Sequence, residues 1–270
     1  MPQATQTNSP QLRRRSKIYF LSDLHLGARY FSDPKQAERD VVAFLTAISA
    51  DAKEIYLLGD VLDYWYEYRY VVPRGFVRFF GKLAELSDMG IRIIWMKGNH
   101  DIWIFDYLPA ELGIEIADGT IERDLMGKRF YLAHGDGVGH QPAVFRMMRK
   151  LFRNRFAQWL YSGIHPRWTI PFALRWSCGS RSQGADTSAA NRGAEALQRY
   201  AAQHSENHPG TDFYIFGHVH IQSRRRTPSG AEAVTLGGWL GDRDYAVWDG
   251  QTLRLENFNP PPADTLPNRS

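Results

Sequence analysis

The sequence predicts an α/β fold, and three observations support this class. Short apolar runs, most of them rich in Ile and aromatic residues, alternate with longer helix-like stretches. The spacing of the runs fits βαβ connections. The chain has 270 residues, 43% of them apolar, so it can bury about three quarters of its unfolded surface in one large core. In chain order, strands are expected at 17–21 (KIYFL), 54–58 (EIYLL), 92–96 (RIIWM), 129–133 (RFYLA) and 212–216 (DFYIF). A helix is expected over 34–50, with Asp33 as its cap and Pro34 in first position, and another over 76–89, closed by Gly90. Three further strands are expected at 233–236, 245–248 and 252–255, the last two joined at Asp249-Gly250, a favoured hairpin pair. Residues 1–16 and 260–270 are expected to be disordered tails, leaving one domain over 17–259.

Composition narrows the classes. With 13% aromatic and 23% charged residues, the profile is that of an ordinary globular protein. No run approaches the roughly 18 consecutive apolar residues of a spanning helix. Residues 1–16, MPQATQTNSPQLRRRS, lack the apolar centre of a secretion signal, so a cytoplasmic protein is expected. Cys178 is the single cysteine, which excludes an intramolecular disulfide and a cysteine-based zinc cluster; any metal must be held by His, Asp, Glu or Asn. The net charge of +4 is unevenly placed. Between Asp136 and Asp186 there is no acidic residue, yet Arg146, Arg149, Lys150, Arg153, Arg155, Arg167, Arg175 and Arg181 all lie there, so the whole basic excess belongs to one segment. Something anionic is expected to meet it.

The chemistry is concentrated at strand ends. Each expected core strand is followed at once by a polar cluster: Asp23-Leu24-His25, Gly59-Asp60, Gly98-Asn99-His100-Asp101, His134-Gly135-Asp136 and Gly217-His218-Val219-His220. The carboxyl ends of strands are where open α/β sheets form sites. Alone, a Gly-Asp pair is turn chemistry; five such clusters in order read as a metal site. Asp, His and Asn supply the hard oxygen and imidazole donors that suit Mn²⁺, Fe²⁺ or Zn²⁺. Two metals need a carboxylate between them, for which Asp60 is the natural candidate. The D-x-H and H-x-H spacings place both members on one side of an extended backbone, so one ion could collect a pair or two ions could share it. The glycines let the chain turn sharply and approach a ligand closely.

Taken together, the blocks D-x-H, G-D, G-N-H-D, H-G-D and G-H-x-H, running from Asp23 to His220, resemble the motif order of calcineurin-like metallophosphoesterases. The resemblance implies a four-layer α/β/β/α sandwich with two divalent ions, Mn²⁺ first and Fe²⁺ or Zn²⁺ as alternatives. Asp23, His25, Asp60 and His220 would hold one ion, and Asp60, Asn99, His134 and His218 the other. It further implies that His100 supports the leaving group or the phosphoryl oxygens, oriented by Asp63, and that Asn99 shares in substrate contact. Such a metal pair suits phosphoryl hydrolysis because it acidifies a bound water and neutralises charge growing at phosphorus.

The five blocks do not choose a substrate. That choice should come from the acid-free insertion, about 137–188, read as a helical lid. There Val144, Phe145, Met148, Leu151, Phe152, Phe156, Trp159 and Leu160 follow helical spacing, with arginines interleaved; Trp168, Phe172, Leu174 and Trp176 make a second apolar patch. Guanidinium groups for phosphate beside apolar walls for acyl chains fit a lipid phosphate; the alternative is that the apolar face packs the insertion on the core and the arginines are solvated. From Ile18 to His220, YFLSDLHLGA, LLGDVLDYWYEY, GNHDIWIFDYLP, AHGDGVG and YIFGHVH resemble the UDP-2,3-diacylglucosamine diphosphatase family of lipid A synthesis, Bacteroidetes type. That family implies a peripheral protein of the cytoplasmic membrane surface that splits a UDP-linked diacyl sugar into UMP and the sugar 1-phosphate. Its proteobacterial members carry G-N-R-D where this chain has Gly98-Asn99-His100-Asp101, so the role of their arginine does not transfer.

By the same resemblance Arg149, Arg153, Arg175, Ser177, Ser180 and Arg181 are candidates for holding the phosphosugar. The aromatic run 63–70, DYWYEYRY, could stack on uracil or sugar, or pack in the core. Arg13-Arg14-Arg15 could add attraction to an anionic lipid surface. Two other readings compete: the same centre acting on nucleic acid or nucleotides, whose phosphate-only binding would weaken steeply with salt, and a non-enzymatic scaffold, which the open ligand sets oppose.

Overall fold

The computed structural model describes residues 15–139, 141–181 and 187–260, with the side chains of 176–181 and 187 outside that description. Of the expected tails 1–16 and 260–270, residues 1–14 and 261–270, with Arg13 and Arg14, lie outside the described residues. In chain order come β1 (Lys17–Leu21), α1 (Pro34–Ile48), β2 (Ala52–Leu57), α2 (Val77–Asp88), β3 (Arg92–Met96), α3 (Tyr107–Leu112), β4 (Glu115–Ala117), β5 (Thr120–Leu125) and β6 (Lys128–Ala133). They are followed by α4 (Ala143–Arg153), α5 (Arg155–Ser162), α6 (Pro166–Arg181), α7 (Thr187–Asn207), β7 (Phe213–Phe216), β8 (Ser223–Arg226), β9 (Glu232–Thr235), β10 (Asp244–Trp248) and β11 (Leu253–Asn257).

The strands form two sheets, β11-β10-β1-β2-β3-β4 and β5-β6-β7-β9-β8. Three apolar clusters show how they stack. Ile18, Phe20, Tyr56 and Ile94 of the first sheet meet Phe130, Leu132, Ile215 and Val234 of the second. The other face of the first sheet packs Tyr19, Ile55 and Trp95 against Phe44 of α1, Leu83 of α2 and Leu108 of α3. The outer face of the second packs Tyr131 and Tyr214 against Leu197 and Ala201 of α7. The layers are therefore helix, sheet, sheet, helix. The central strands β1, β2, β3 and β6, β7, β9 run parallel within their sheets, so their carboxyl ends emerge along a common edge.

Local chemistry accounts for the boundaries. Asp33 caps α1 by accepting from the Lys35 and Gln36 amides, both at 2.9 Å. The start of α2 is capped from a distance: Glu38 of α1 accepts from the Arg78 and Phe79 amides, while Phe76 takes a left-handed φ of 61°. Five elements escape sequence reading: α3, the long helix α7 beyond the insertion, the three-residue β4, the charged edge strand β8, and β5, whose outer positions alternate with half-buried ones. The β5–β6 hairpin turns at Met126 and Gly127, both at positive φ, where the usual Asn-Gly signal is missing.

One expectation is corrected. The single amphipathic stretch over 144–161 is two helices, because Asn154 leaves helical geometry at ψ 121° and caps α5 by accepting from the Ala157 amide at 3.0 Å.

Candidate metal centre

All five clusters arrive at one rim, yet not by the extended backbone that the alternating spacing suggests. Asp23, His25, Asp60, His218 and His220 are five of the eight described non-glycine residues with positive φ, between 43° and 71°. Left-handed backbone at these positions is strained for residues with a Cβ and is kept where the surroundings over-determine it. Here they do. The Asp23, His25 and Leu26 amides donate to the Gly59, Asp60 and Val61 carbonyls, and the Trp239 amide donates to the Asp23 carbonyl. The glycines serve close approach as much as turning: a Cβ at Gly98 would run into Asp60, and one at Gly217 into Ser22.

Two groups of ligand-type atoms result, Asp23–His25–His220 and Asp60–His134–His218. Asp60 lies between them, its Oδ2 3.8 Å from His25 Nε2 and 3.4 Å from His134 Nε2, while its Oδ1 accepts from the His100 amide at 2.8 Å. Asn99 Oδ1 stands 3.2 Å from His134 Nε2. Asp23, His25, Asp60 and His134 are almost fully buried.

The electrostatics are those of a site built for cations. Burial alone would raise the Asp23 carboxyl, but His220 and His25 hold it well below the usual range. Asp60 is likewise held low, against burial, by His134 and His100. Burial alone would lower His134, but Asp60 above all holds it up at about 10. Burial and the neighbouring His134 push His218 down to about 4. His134 Nδ1 lies 2.8 Å from the Leu58 carbonyl, which fixes the ring so that Nε2 meets the carboxylate and amide oxygens of Asp60 and Asn99.

Two observations show that divalent ions fit. Asp23 Oδ1 is buried and takes no hydrogen bond, with His220 Nε2 at 3.1 Å and His25 Nε2 at 3.6 Å. The His25 and His220 Nε2 atoms face each other at 3.2 Å, where one proton at most can be shared. A cation satisfies these converging lone pairs together.

His100 departs in part from its expected partner. Its Nδ1 lies 3.0 Å from the Asp63 backbone carbonyl and 3.8 Å from the Asp63 carboxylate, which is nearer, at 3.6 Å, to His25 Nδ1. Asp63 therefore reaches both rings. His25, Asp63 and His100 also form a third compact group of ligand-type atoms.

Around the rim the structure adds residues that the motifs left without a role. Asp101 is fully buried and accepts from the Val61 and Gly98 amides and from Trp95 Nε1, tying two of the loops together. Ser22 donates to Asp23 Oδ2 at 2.5 Å. Glu67 gathers the Phe105, Asp106, Tyr107 and Leu108 amides. Short polar residues flanking a ligand were the available signal for the first two; nothing local pointed to Glu67.

The aromatic run after Asp63 packs instead of lining an open cleft. Tyr64, Trp65 and Tyr66 are buried. Tyr64 bonds Tyr161, Tyr66 donates to the Gln158 carbonyl, and Tyr68 bonds Thr169, so the run moors the insertion to the core. Arg149 and Arg153 are moored too, to Asp136 at 2.9 Å and Asp118 at 3.2 Å. Arg175 is exposed on α6. Ser177, Ser180 and Arg181 belong to α6, but their side chains lie outside the described residues.

Sandwich and rim together define a metallophosphoesterase. The calcineurin-like phosphoesterase model matches residues 16–222, and the chain belongs to that family. Among relatives, it is 46% identical over 257 residues to the UDP-2,3-diacylglucosamine hydrolase of Porphyromonas gingivalis, covering 90% of this chain and 98% of that protein. With the UDP-2,3-diacylglucosamine hydrolase of Ralstonia nicotianae identity is 27% over 262 residues, 95% of each. No helix among the described residues is long and apolar enough to cross a membrane.

Proposed function

We propose that this protein hydrolyses the pyrophosphate of UDP-2,3-diacylglucosamine, releasing UMP and 2,3-diacylglucosamine 1-phosphate. The observation that carries the reading is the flanking of a two-group carboxylate-imidazole rim by helices that present apolar side chains and arginines together. Phe156, Trp159, Trp168 and Phe172 are each more than 60% exposed, with Arg155 and Arg167 exposed among them. A ligand with acyl chains next to phosphate pairs with such a surface, and a nucleic acid does not need its apolar half. The similarity to proteins named for this hydrolysis supports the same substrate.

In this reading 17–259 is one catalytic domain, with the lid at about 137–188. Asp23, His25, Asp60 and His220 hold one divalent ion, Asp60, Asn99, His134 and His218 the second, with Mn²⁺ preferred. Such ions, when bound, acidify a water and offset charge growing on the phosphoryl oxygens. The chain's own residues do the rest. Asp60 stands between the two groups, its Oδ2 facing both while its Oδ1 is held by the His100 amide. His100 donates from Nδ1 to the Asp63 carbonyl and carries Nε2 at 3.9 Å from Asp60 Oδ2; as the imidazolium, with both nitrogens protonated, it would give the Nε2 proton to the departing sugar phosphate and be left neutral. The exposed apolar and basic face of α5 and α6 rests on the anionic cytoplasmic membrane surface, from which the acyl chains enter.

The test is hydrolysis of UDP-2,3-diacylglucosamine beside bis-p-nitrophenyl phosphate and single-stranded DNA, each with Mn²⁺ and with chelator. A preference of orders of magnitude for the lipid, lost with chelator, is expected. Equal or better turnover of DNA would overturn the substrate assignment.

A further inference from the structure

The rim has two flanks, and only one belongs to the insertion. On the side of His100 and Asp136 stand the moored helices α4 and α5. On the side of His220 opens a polar cavity of about 610 Å³, lined by His220, Gln222, Asp242, Arg243, Asn257 and Asn259 among others. That volume is within the roughly 300–1,000 Å³ of small-ligand sites. The cavity wall is unlike the insertion: amides, carboxylates and a guanidinium in place of tryptophan and phenylalanine.

Three details mark it as a prepared site. Gln222 lines the cavity and its buried Nε2 has no hydrogen-bond partner, so a rotation of the carboxamide toward the cavity would let a ligand supply the missing acceptor. Arg243 is held at a left-handed φ of 53° while its guanidinium clamps the buried Asp40 at 2.6 Å, so the loop carrying Asp242 is anchored. Asn257 is fixed by donating to the Asp242 carbonyl and to the Asp244 carboxylate. Two of the wall's side chains are thus anchored, and a third has a donor without a partner.

The geometry points to this cavity as the subsite for the nucleoside monophosphate half of the substrate, with the acyl sugar phosphate leaving across the rim toward the insertion. This rests on the proposed diphosphatase activity. A pyrimidine presents an alternating row of N–H and carbonyl groups, which carboxamides such as Gln222 and Asn259 match with a donor and an acceptor each. The ribose hydroxyls are donors for which the Asp242 carboxylate is an acceptor. Because His220 lines both the cavity and the rim, a phosphorus held at the rim places its nucleoside in the cavity and its anhydride-linked sugar phosphate on the opposite flank.

The test uses the full chain with Mn²⁺ and the variants Gln222→Leu, Asp242→Asn and Asn259→Ala, with UMP, AMP and inorganic phosphate as probes. Calorimetric titration should show UMP bound at least tenfold more tightly than inorganic phosphate and than AMP, and each variant should weaken UMP about tenfold without altering phosphate. With UDP-2,3-diacylglucosamine the variants should raise KM about tenfold, and with bis-p-nitrophenyl phosphate, which has no nucleoside, kcat/KM should stay within twofold. UMP affinity unchanged in all three folded variants overturns the subsite. If the wild type fails to hydrolyse the lipid nucleotide while UMP binding still depends on these side chains, the diphosphatase reading falls and the nucleotide subsite stands.

Discussion

The metal rim and the insertion lie side by side and are built on opposite principles. At the rim, Asp23, His25, Asp60 and His134 are buried, the backbone is held in left-handed conformations, and one loop is tied to the next by amides and by Asp101. In the insertion, α4 and α5 contain no buried residue, and much of their apolar surface faces outward. They adhere through a seam: Trp103 stacks on Tyr161 with centroids 5.1 Å apart and donates to the Phe152 carbonyl, and Tyr66 and Arg149 add bonds alongside. A site that must place several charged groups to within fractions of an ångström needs a rigid support. A surface that, as proposed, receives acyl chains must keep apolar area open, and accepts weak attachment in return.

The sharpest way to break this contrast is at the rim. Asp60→Ala should lower hydrolysis on the order of 10³-fold or more and reduce bound metal, with the circular dichroism of the fold unchanged; near wild-type turnover would remove Asp60 from the centre. His100→Ala should come next, lowering kcat about 10²-fold at unaltered metal content. Loss of metal in that variant would instead assign an ion to the His25–Asp63–His100 group.

On the insertion side, Trp103→Ala should leave kcat/KM for bis-p-nitrophenyl phosphate within about twofold and raise KM for the acylated substrate roughly tenfold, with faster amide exchange confined to α4 and α5. Global acceleration of exchange would mean that the insertion and the core are one cooperative unit. The smallest effect concerns Asp244, whose carboxyl is pushed up to about 6 by burial and by Asp242, against the bond from Asn257. Because the folded-state value is the higher one, the protonated form is favoured in the native protein, and stability from this group is lost as pH rises from about 4 to 6. Asp244→Asn should therefore raise the unfolding free energy at pH 8 by about 1 kcal/mol, read from denaturant titration, and lose that advantage toward pH 4.

Much of this was legible along the chain. The strands at 17–21 and 92–96 match β1 and β3 to the residue, and Asp33 caps α1 as expected, because apolar runs and capping side chains act locally. The rim residues were legible as well, since each follows its strand at once. The account of their spacing was not: the D-x-H and H-x-H pairs converge through left-handed turns held by neighbouring loops, and period-two alternation has no part in it. The aromatic run at 63–70 was readable as a cleft lining or as core; only the positions of Gln158, Tyr161 and Thr169, about a hundred residues onward, decide for a mooring.

By itself the sequence determined which side chains can ligate, where the strands that deliver them begin, and that one long segment is basic and amphipathic. These follow from side-chain chemistry and from contacts between near neighbours in the chain. The tertiary structure alone decided that the amphipathic segment breaks into two helices at Asn154, that Asp63 reaches two histidines, and that a polar cavity with an unpaired Gln222 opens opposite the insertion. Each of these depends on groups tens to hundreds of residues apart meeting in space, and no local pattern encodes such a meeting.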